Sequence, residues 1–214
     1  MNSLIIDCSD GMSLILLSNE KEFSYIDDTE KKHSDELLVV LDNLLEKANL
    51  KIQDIENICV CIGPGSFTGV RVAISICKGL AIGVGAKVFV LSNLDIFDCK
   101  NDNNAALVLD GFSDFVYVRV FENQNYKDAC MTQTELKNLA LKQNKSVYVV
   151  NEKMQKKLNS IEINANFAKN NIKNAFLNKI IAGDFVDINT ISPVYLRASQ
   201  AEIERNKKLA GGKQ

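Results

Sequence analysis

The first half of the chain alternates short apolar runs with longer segments of helical periodicity. Apolar, β-branched runs bounded by turn residues predict five strands, at residues 4–6, 13–17, 22–26, 58–62 and 88–91. Apolar residues at i, i+3, i+4 and i+7 predict two helices, over residues 34–48 and 68–83, the second with Thr68 as its N-cap. The predicted order is a hairpin, a third strand and a helix, followed by a strand on each side of the second helix.

The second half of the chain repeats the opening. Residues 107–110, Leu-Val-Leu-Asp, mirror residues 4–7, Leu-Ile-Ile-Asp, and each copy continues through a short turn into another strand. The offset is close to half the chain, which favours a duplicated hairpin-plus-helix unit over a solenoid, whose repeats are shorter. A chance match is the alternative, because apolar strands that end in Asp are common.

The pattern after this repeat is less regular. It predicts strands at residues 116–121 and 147–150 and helices over residues 134–142 and 170–182. The chain then continues as an extended arm over residues 192–197, a charged helix over residues 198–209 and a fraying end.

A glycine-rich turn joins the strand at residues 58–62 to the second helix; residues 63–71 read Gly-Pro-Gly-Ser-Phe-Thr-Gly-Val-Arg. Glycine tolerates positive φ and has no Cβ, so this turn suits a close approach of backbone. One interpretation is a phosphate cradle, because a glycine-rich turn at a helix N-terminus directs free N–H groups at an anion. The other is close packing of the helix on its own protein, which the lack of a Walker A Lys-Ser/Thr pair favours.

Composition narrows the class of protein. With 214 residues, 46% of them hydrophobic, the chain can bury a core, and its net charge of −2 gives no general attraction to nucleic acid. No run reaches the roughly 18 consecutive apolar residues of a membrane span. The cysteines lie mostly in apolar runs and no leader pattern is found, so reduced thiols and a cytoplasmic location are expected. The single histidine, His33, disfavours a zinc site or a Ser-His-Asp arrangement.

Small residues form two rows on the second predicted helix, and such rows let helices approach closely. The rows are Gly69, Ala73, Cys77, Ala81 and Ser75, Gly79, Gly83. We expect one row to meet the protein's own sheet and the other, with Val70 and Ile74, to meet a partner. The alternative is that both rows pack inside the chain.

Several segments resemble the TsaB family, also called YeaZ, which supplies a subunit of the bacterial machinery that makes threonylcarbamoyladenosine in tRNA. They follow the family's order and are residues 4–9, 33–38, 63–71, 78–81 and 193–197. The glycine-rich segment is the most specific. The resemblance implies an α/β fold of the actin, Hsp70 and sugar-kinase (ASKHA) type, duplicated as two mixed-sheet subdomains flanked by helices, here residues 1–100 and 101–214.

The resemblance implies a noncatalytic subunit that supports the paralogous transferase TsaD, with the ATPase TsaE joining the complex. The isolated chain is expected to form a homodimer. It is expected to contact tRNA only indirectly and not to contact a membrane. Active ASKHA proteins bind Mg-ATP at Asp-bearing hairpins, so Asp7 and Asp110 are expected to be vestigial ligands. No catalytic residue, metal or cofactor is expected on the isolated chain, and ADP or ATP only at a subunit interface. The expected partner interface is Leu37, Val40, Leu41, Leu44, Val70, Arg71, Ile74 and Cys77.

Two other functions stay open. An active Mg-ATP-dependent ATPase or phosphotransferase of the same superfamily would use Asp7 and Asp110 as magnesium ligands. A peptidase, a label attached to relatives of the family, would need a nucleophile with a base or a metal, which one histidine makes hard to assemble.

Overall fold

The computed structural model describes residues 1–27, 36–96, 102–111, 113–122, 125–149, 152–158, 161, 165–166 and 172–196. His33, the start of the first predicted helix and the predicted helix over residues 198–209 lie outside these residues.

The first sheet has five strands in the order β3-β2-β1-β4-β5. Its elements are β1 Asn2–Asp7, β2 Met12–Ser18, β3 Lys21–Asp27, α1 Leu37–Ala48, β4 Asn57–Cys61, α2 Phe67–Val84 and β5 Lys87–Leu91. Strands β1, β2 and β3 form an antiparallel meander, while β4 and β5 run parallel to β1. All five predicted strands and both helices are confirmed, with ends shifted by a few residues.

The second sheet repeats this order as β10-β9-β6-β7-β8. Its elements are β6 Ala105–Asp110, β7 Phe115–Glu122, β8 Asn125–Thr132, α3 Gln133–Gln143, β9 Ser146–Val149, α4 Glu152–Lys157 and β10 Ala165–Asn166, followed by α5 Ile172–Ala182. Again a meander, β6 to β8, is extended by strands parallel to its first strand. The duplication predicted from the two Leu-x-x-Asp strands therefore holds for the fold.

Sequence patterning missed β8, β10 and α4. Strand β8 pairs with β7 alone among the described strands, and its N-terminal half, including Lys127 and the neighbouring polar residues, is not buried. An edge strand of this kind lacks the apolar run that a central strand shows. The other two elements have only two and six residues, too few for a periodic signal.

The buried residues form three clusters that define the layers. Side chains on one face of the first sheet, such as Ile6 and Leu14, pack against α1 and α2. The opposite face packs against α5 and one face of the second sheet, where Phe89 and Phe176 meet edge to face with ring centroids 5.5 Å apart. The far face of the second sheet is covered by α3 and α4. The outer surface of the first lobe is therefore built from α1 and α2.

A buried arginine fixes the segment that leaves the first lobe. Arg119 on β7 donates to the carbonyl of Leu94 at 3.0 Å and to Asp95 at 2.7 Å, and pairs with Asp128 through two bonds of 2.7 and 2.8 Å. Because Leu94 and Asp95 follow β5, these bonds connect the second sheet to the end of the first.

Helix α2 starts differently from the prediction. Its N-cap is Ser66, not Thr68, and the Ser66 hydroxyl accepts a hydrogen bond from the N–H of Gly69 at 3.2 Å. By length and composition alone α2 could cross a membrane, since its 18 residues have a mean hydropathy of 1.5. That criterion is weak, because helices that pack on a sheet also meet it.

Candidate functional site

The turn after β1 holds a buried carboxylate, Asp7, that accepts hydrogen bonds from its own turn. Asp7 is only 3% exposed, and its Oδ1 accepts hydrogen bonds from the backbone N–H of Ser9 at 2.9 Å and the Ser9 hydroxyl at 2.5 Å. The Ser9 carbonyl in turn accepts from the N–H of Ser66 at 2.7 Å. The Asp7 turn and the glycine-rich turn are thus bonded to each other.

The glycines of residues 63–71 are explained by this close approach. A Cβ on Gly65 or on Gly69 would come well inside 3.0 Å of the backbone of Ser9 or Cys8, closer than real Cβ atoms come. Gly63 has a φ of +95°, which L-residues with side chains rarely adopt. Packing inside the chain therefore accounts for these glycines, and the amide groups of Ser66 and Gly69 already have partners in the protein.

Asn93 connects the same two turns from the other side. Its side-chain amide donates to the carbonyl of Pro64 at 3.0 Å and to the hydroxyl of Ser9, while its backbone N–H donates to the carbonyl of Gly63 at 2.8 Å. Its Oδ1 is the one buried side-chain polar atom among the described residues that has no hydrogen-bond partner. Sequence reasoning missed Asn93, because it lies in a loop without periodicity.

The corresponding carboxylate of the second lobe is neutralised by a lysine. Lys157, at the end of α4, forms an ion pair with Asp110 and also donates to the carbonyl of Gly111 at 3.1 Å. Asp7 and Asp110 occupy equivalent positions at the ends of β1 and β6, as predicted. Within the described part of the chain, no group of three or more His, Cys, Asp or Glu residues could hold a metal ion.

Most of the predicted interface residues lie inside the chain, which corrects that prediction. The side chains of six of the eight are buried in the core beneath α1 and α2: Leu37, Leu41, Leu44, Val70, Ile74 and Cys77. Val40 is half-buried and Arg71 is exposed. The helical spacing identified an apolar face correctly, but that face covers the first sheet and cannot present its side chains to another protein.

The opposite face of the same helices is apolar and exposed. Ile82 on α2 is 73% exposed and Val39 on α1 is 61% exposed, and Leu38 is also exposed. The row Ser75, Gly79 and Gly83 faces outward, and a Cβ built on Gly79 or Gly83 would meet nothing within 4 Å. We call the exposed residues of α2, from Phe67 to Gly83, the α2 outer face. The predicted division into two small-residue rows holds for Ser75, Gly79 and Gly83, which lie outside. It is wrong for Val70 and Ile74, which were expected with the outer row and are buried.

At the N-terminal end of the α2 outer face three side chains form what we call the Arg71 stack: Phe67, Arg71 and Tyr195. The guanidinium carbon of Arg71 lies 3.7 Å from the Phe67 ring centroid, and the two rings stack with centroids 5.2 Å apart. Arg71 Nε donates to the Tyr195 hydroxyl at 2.7 Å. The rings remain 43% and 48% exposed. Sequence reasoning missed both aromatic residues, although Phe67 precedes Arg71 by one helical turn.

Burial controls the ionisation of three cysteines in the first lobe, Cys8, Cys59 and Cys77. It raises the pKa of Cys8 and of Cys77 from 9.0 to about 12, and the negative charge of Asp7 adds to the effect on Cys8. The pKa of Cys59 is raised by burial too. These thiols are therefore protonated at neutral pH and act as small apolar groups.

Two lobes with the same strand order define the class of protein. The same fold is found in YeaZ from Pseudomonas aeruginosa, with a TM-score of 0.71 at 21% identity over 91% of this chain and 99% of that one. A Bacteroides thetaiotaomicron protein described as having an actin-like ATPase fold matches with a TM-score of 0.50 at 9% identity over 83% of this chain and 95% of that one. The predicted fold class is confirmed: the chain has the actin-like fold, α/β with two mixed sheets flanked by helices.

Sequence comparison gives the family. The family model for TsaD, tRNA N6-adenosine threonylcarbamoyltransferase, matches residues 27–210, so the chain belongs to that family. The tRNA threonylcarbamoyladenosine biosynthesis protein TsaB of Haemophilus influenzae is 29% identical over 120 residues, 53% of this chain and 51% of that protein, and other TsaB proteins match at similar identity. The resemblance to TsaB (YeaZ) proteins that the sequence predicted is confirmed by these matches. The chain spans about half the length of the curated relatives it matches.

Proposed function

We propose that the chain is a noncatalytic subunit of the machinery that makes threonylcarbamoyladenosine in tRNA, and that it binds a TsaD-type transferase through the α2 outer face. The observation that carries this proposal is the pair of outward glycines, Gly79 and Gly83. Glycine inside a helix costs about 1 kcal/mol relative to alanine. Neither glycine has a positive φ, and neither has a neighbour that a Cβ would strike. A helix of a partner protein that packs closely on this face would account for both.

The contribution of such a subunit is energetic. By binding the competent conformation of the transferase more tightly than other conformations, it shifts the partner toward that state. The same face suits a homodimer of the isolated chain, because two related folds can share one self-complementary patch. A TsaE-type ATPase would join the assembled complex in the cytoplasm. The partner subunit, and not this chain, would contact the tRNA.

The absence of catalysis in this proposal is supported by the two Asp turns. Magnesium-ATP needs free backbone N–H groups for the phosphates and free carboxylate oxygens for the metal. Here Ser66 and Gly69 donate their N–H groups within the chain, and Asp110 is paired with Lys157. ADP or ATP would then bind only where a partner completes the site.

The experiment compares two exposed apolar residues with the same exposure on different lobes. Ile82 and Leu141 are each 73% exposed, on α2 and α3. We expect Ile82→Glu to weaken binding to the TsaD-type subunit of the same organism about 10-fold or more by calorimetry, and to lower the threonylcarbamoyladenosine content of tRNA by nucleoside mass spectrometry. Leu141→Glu is the matched control, with affinity expected within about 2-fold of wild type. Equal effects of both variants, or none, would contradict the proposed face.

The runner-up is an active ATPase or phosphotransferase, favoured by the duplicated Asp turns. Calorimetry of the isolated chain with ATP and magnesium distinguishes it from the proposal. We expect no micromolar binding. Micromolar binding that Asp7→Asn abolishes would favour the enzyme instead.

A further inference from the structure

The Arg71 stack is more than an isolated surface contact, because it is continuous with the α2 outer face. One oblique row of exposed residues follows the helix at intervals of four: Phe67, Arg71, Ser75, Gly79 and Gly83. Because an α-helix has about 3.6 residues per turn, this row turns about 40° around the helix axis at each step. The stack therefore forms the N-terminal end of the surface on which the proposed function depends.

The geometry of the stack holds the Arg71 guanidinium in place and leaves its terminal amino groups available to a partner. Its Nε donates a hydrogen bond to Tyr195, and its guanidinium carbon lies over the Phe67 ring. Among the described residues, no acceptor pairs with its two terminal amino groups. A guanidinium that is fixed in this way presents two parallel N–H donors at little further cost in side-chain entropy, which is the arrangement that binds a carboxylate through two hydrogen bonds.

The charge of helix α2 also favours a carboxylate as the group that binds Arg71. Helix α2 carries Arg71 and Lys78 and no acidic residue, although the whole chain has a net charge of −2. Tyrosine and arginine are also enriched among the few residues that dominate binding energy in protein interfaces. Nucleic-acid binding normally draws on a larger cluster of cations than the two on this helix.

We propose that the Arg71 stack is the anchor of the partner interface and that it receives an Asp or Glu carboxylate from a helix of the partner subunit. This inference rests on the proposed function, and adds to it the chemistry of the contact that sets specificity. The carboxylate binds the terminal amino groups of Arg71, while the partner's small or apolar residues pack along Ser75, Gly79 and Gly83.

The test is charge reversal with rescue, using the full chain and the TsaD-type subunit of the same organism. We expect Arg71→Glu to weaken binding about 30-fold or more. Arg71→Lys keeps the charge but loses the paired donors, so a smaller loss of about 5-fold to 10-fold is expected. Tyr195→Phe keeps the ring but removes the hydroxyl that holds Arg71, and should cost a few-fold. Each variant is first checked for an unchanged melting temperature.

Rescue identifies the contact. Exposed Asp and Glu residues of the partner are changed singly to Lys, and one of them should restore binding to Arg71→Glu while weakening binding to the wild-type chain. If Arg71→Glu weakens binding and no partner reversal rescues it, the carboxylate is contradicted.

The remaining outcomes separate this inference from the proposed function. Binding by Arg71→Glu within about 3-fold of wild type, with Ile82→Glu still defective, would overturn the anchor and leave the proposed function standing. If neither variant affects binding, the proposed face itself fails. Loss of tRNA retention by Arg71→Glu with partner affinity intact would make the stack a phosphate site and overturn the inference.

Discussion

The two lobes share one strand order but use it for different purposes. In the first lobe the Asp7 turn is covered by the glycine-rich turn, and an 18-residue helix follows β4. In the second lobe the equivalent Asp110 is paired with Lys157, and the helix that follows β9 has six residues. Duplicated units can thus keep a common sheet while only one copy retains the long helix that forms an exposed apolar face.

The largest expected effect concerns two glycines of that helix, one packed against the Cys8 backbone and the other facing open space. Gly69→Ala would place a Cβ against the carbonyl of Cys8, where backbone cannot move aside cheaply. We expect a loss of about 3 kcal/mol or more in the free energy of unfolding, at or beyond the upper end for overpacking. Gly79→Ala meets open space and should gain about 0.5 to 1 kcal/mol from helix propensity. Urea unfolding of both variants measures the difference.

The affinity of Gly79→Ala for the TsaD-type subunit gives a second test of the outward glycines. We expect Gly79→Ala to be more stable than wild type and yet to bind the TsaD-type subunit less tightly, because the added methyl group keeps the helices apart. If Gly79→Ala improved both properties, the outward glycines would have no role in close packing and the proposed face would lose its main support.

The inner and outer faces of α1 and α2 also show which features of the structure could be predicted from the sequence. Strands such as β1 and β4 are predicted because their apolar runs end at turn residues, and the family follows from the glycine-rich turn. The interface prediction was wrong for Leu41 and Ile74, because a periodic apolar face marks the side that packs on the sheet and carries no information about a partner. Tyr195 could not be predicted as a neighbour of Phe67, since the contact joins residues far apart in the chain.

Ionisation of buried thiols in the first lobe is expected to lower the stability of the protein at high pH. The folded pKa of Cys8 and of Cys77 is about 12, above the ordinary value of 9.0, so the unfolded state releases these protons first as the pH rises. The stabilisation is complete below pH 9 and is lost as the pH rises from 9 toward 12, by up to about 1.4 kcal/mol per pH unit for each thiol. Urea unfolding between pH 8 and pH 10.5 measures the slope.

Two variants give the control for that slope. Cys77→Ala should reduce the slope by about one thiol's share, whereas Gly79→Ala, which removes no titratable group, should leave it unchanged. An unchanged slope in Cys77→Ala would contradict the assignment to buried thiols.

The smallest expected effect concerns the ion pair that distinguishes the second Asp turn from the first. The Lys157 and Asp110 side chains are 22% and 35% exposed, so water screens the pair only in part. Lys157→Met should therefore cost about 1 kcal/mol in the free energy of unfolding, at the upper end of the range for exposed ion pairs. Thermal unfolding with and without magnesium measures it. If magnesium raised the melting temperature of Lys157→Met and not that of wild type, the lysine ammonium group would occupy the place of a metal ion. The Asp110 turn would then have kept more of its capacity to bind a metal than the Asp7 turn.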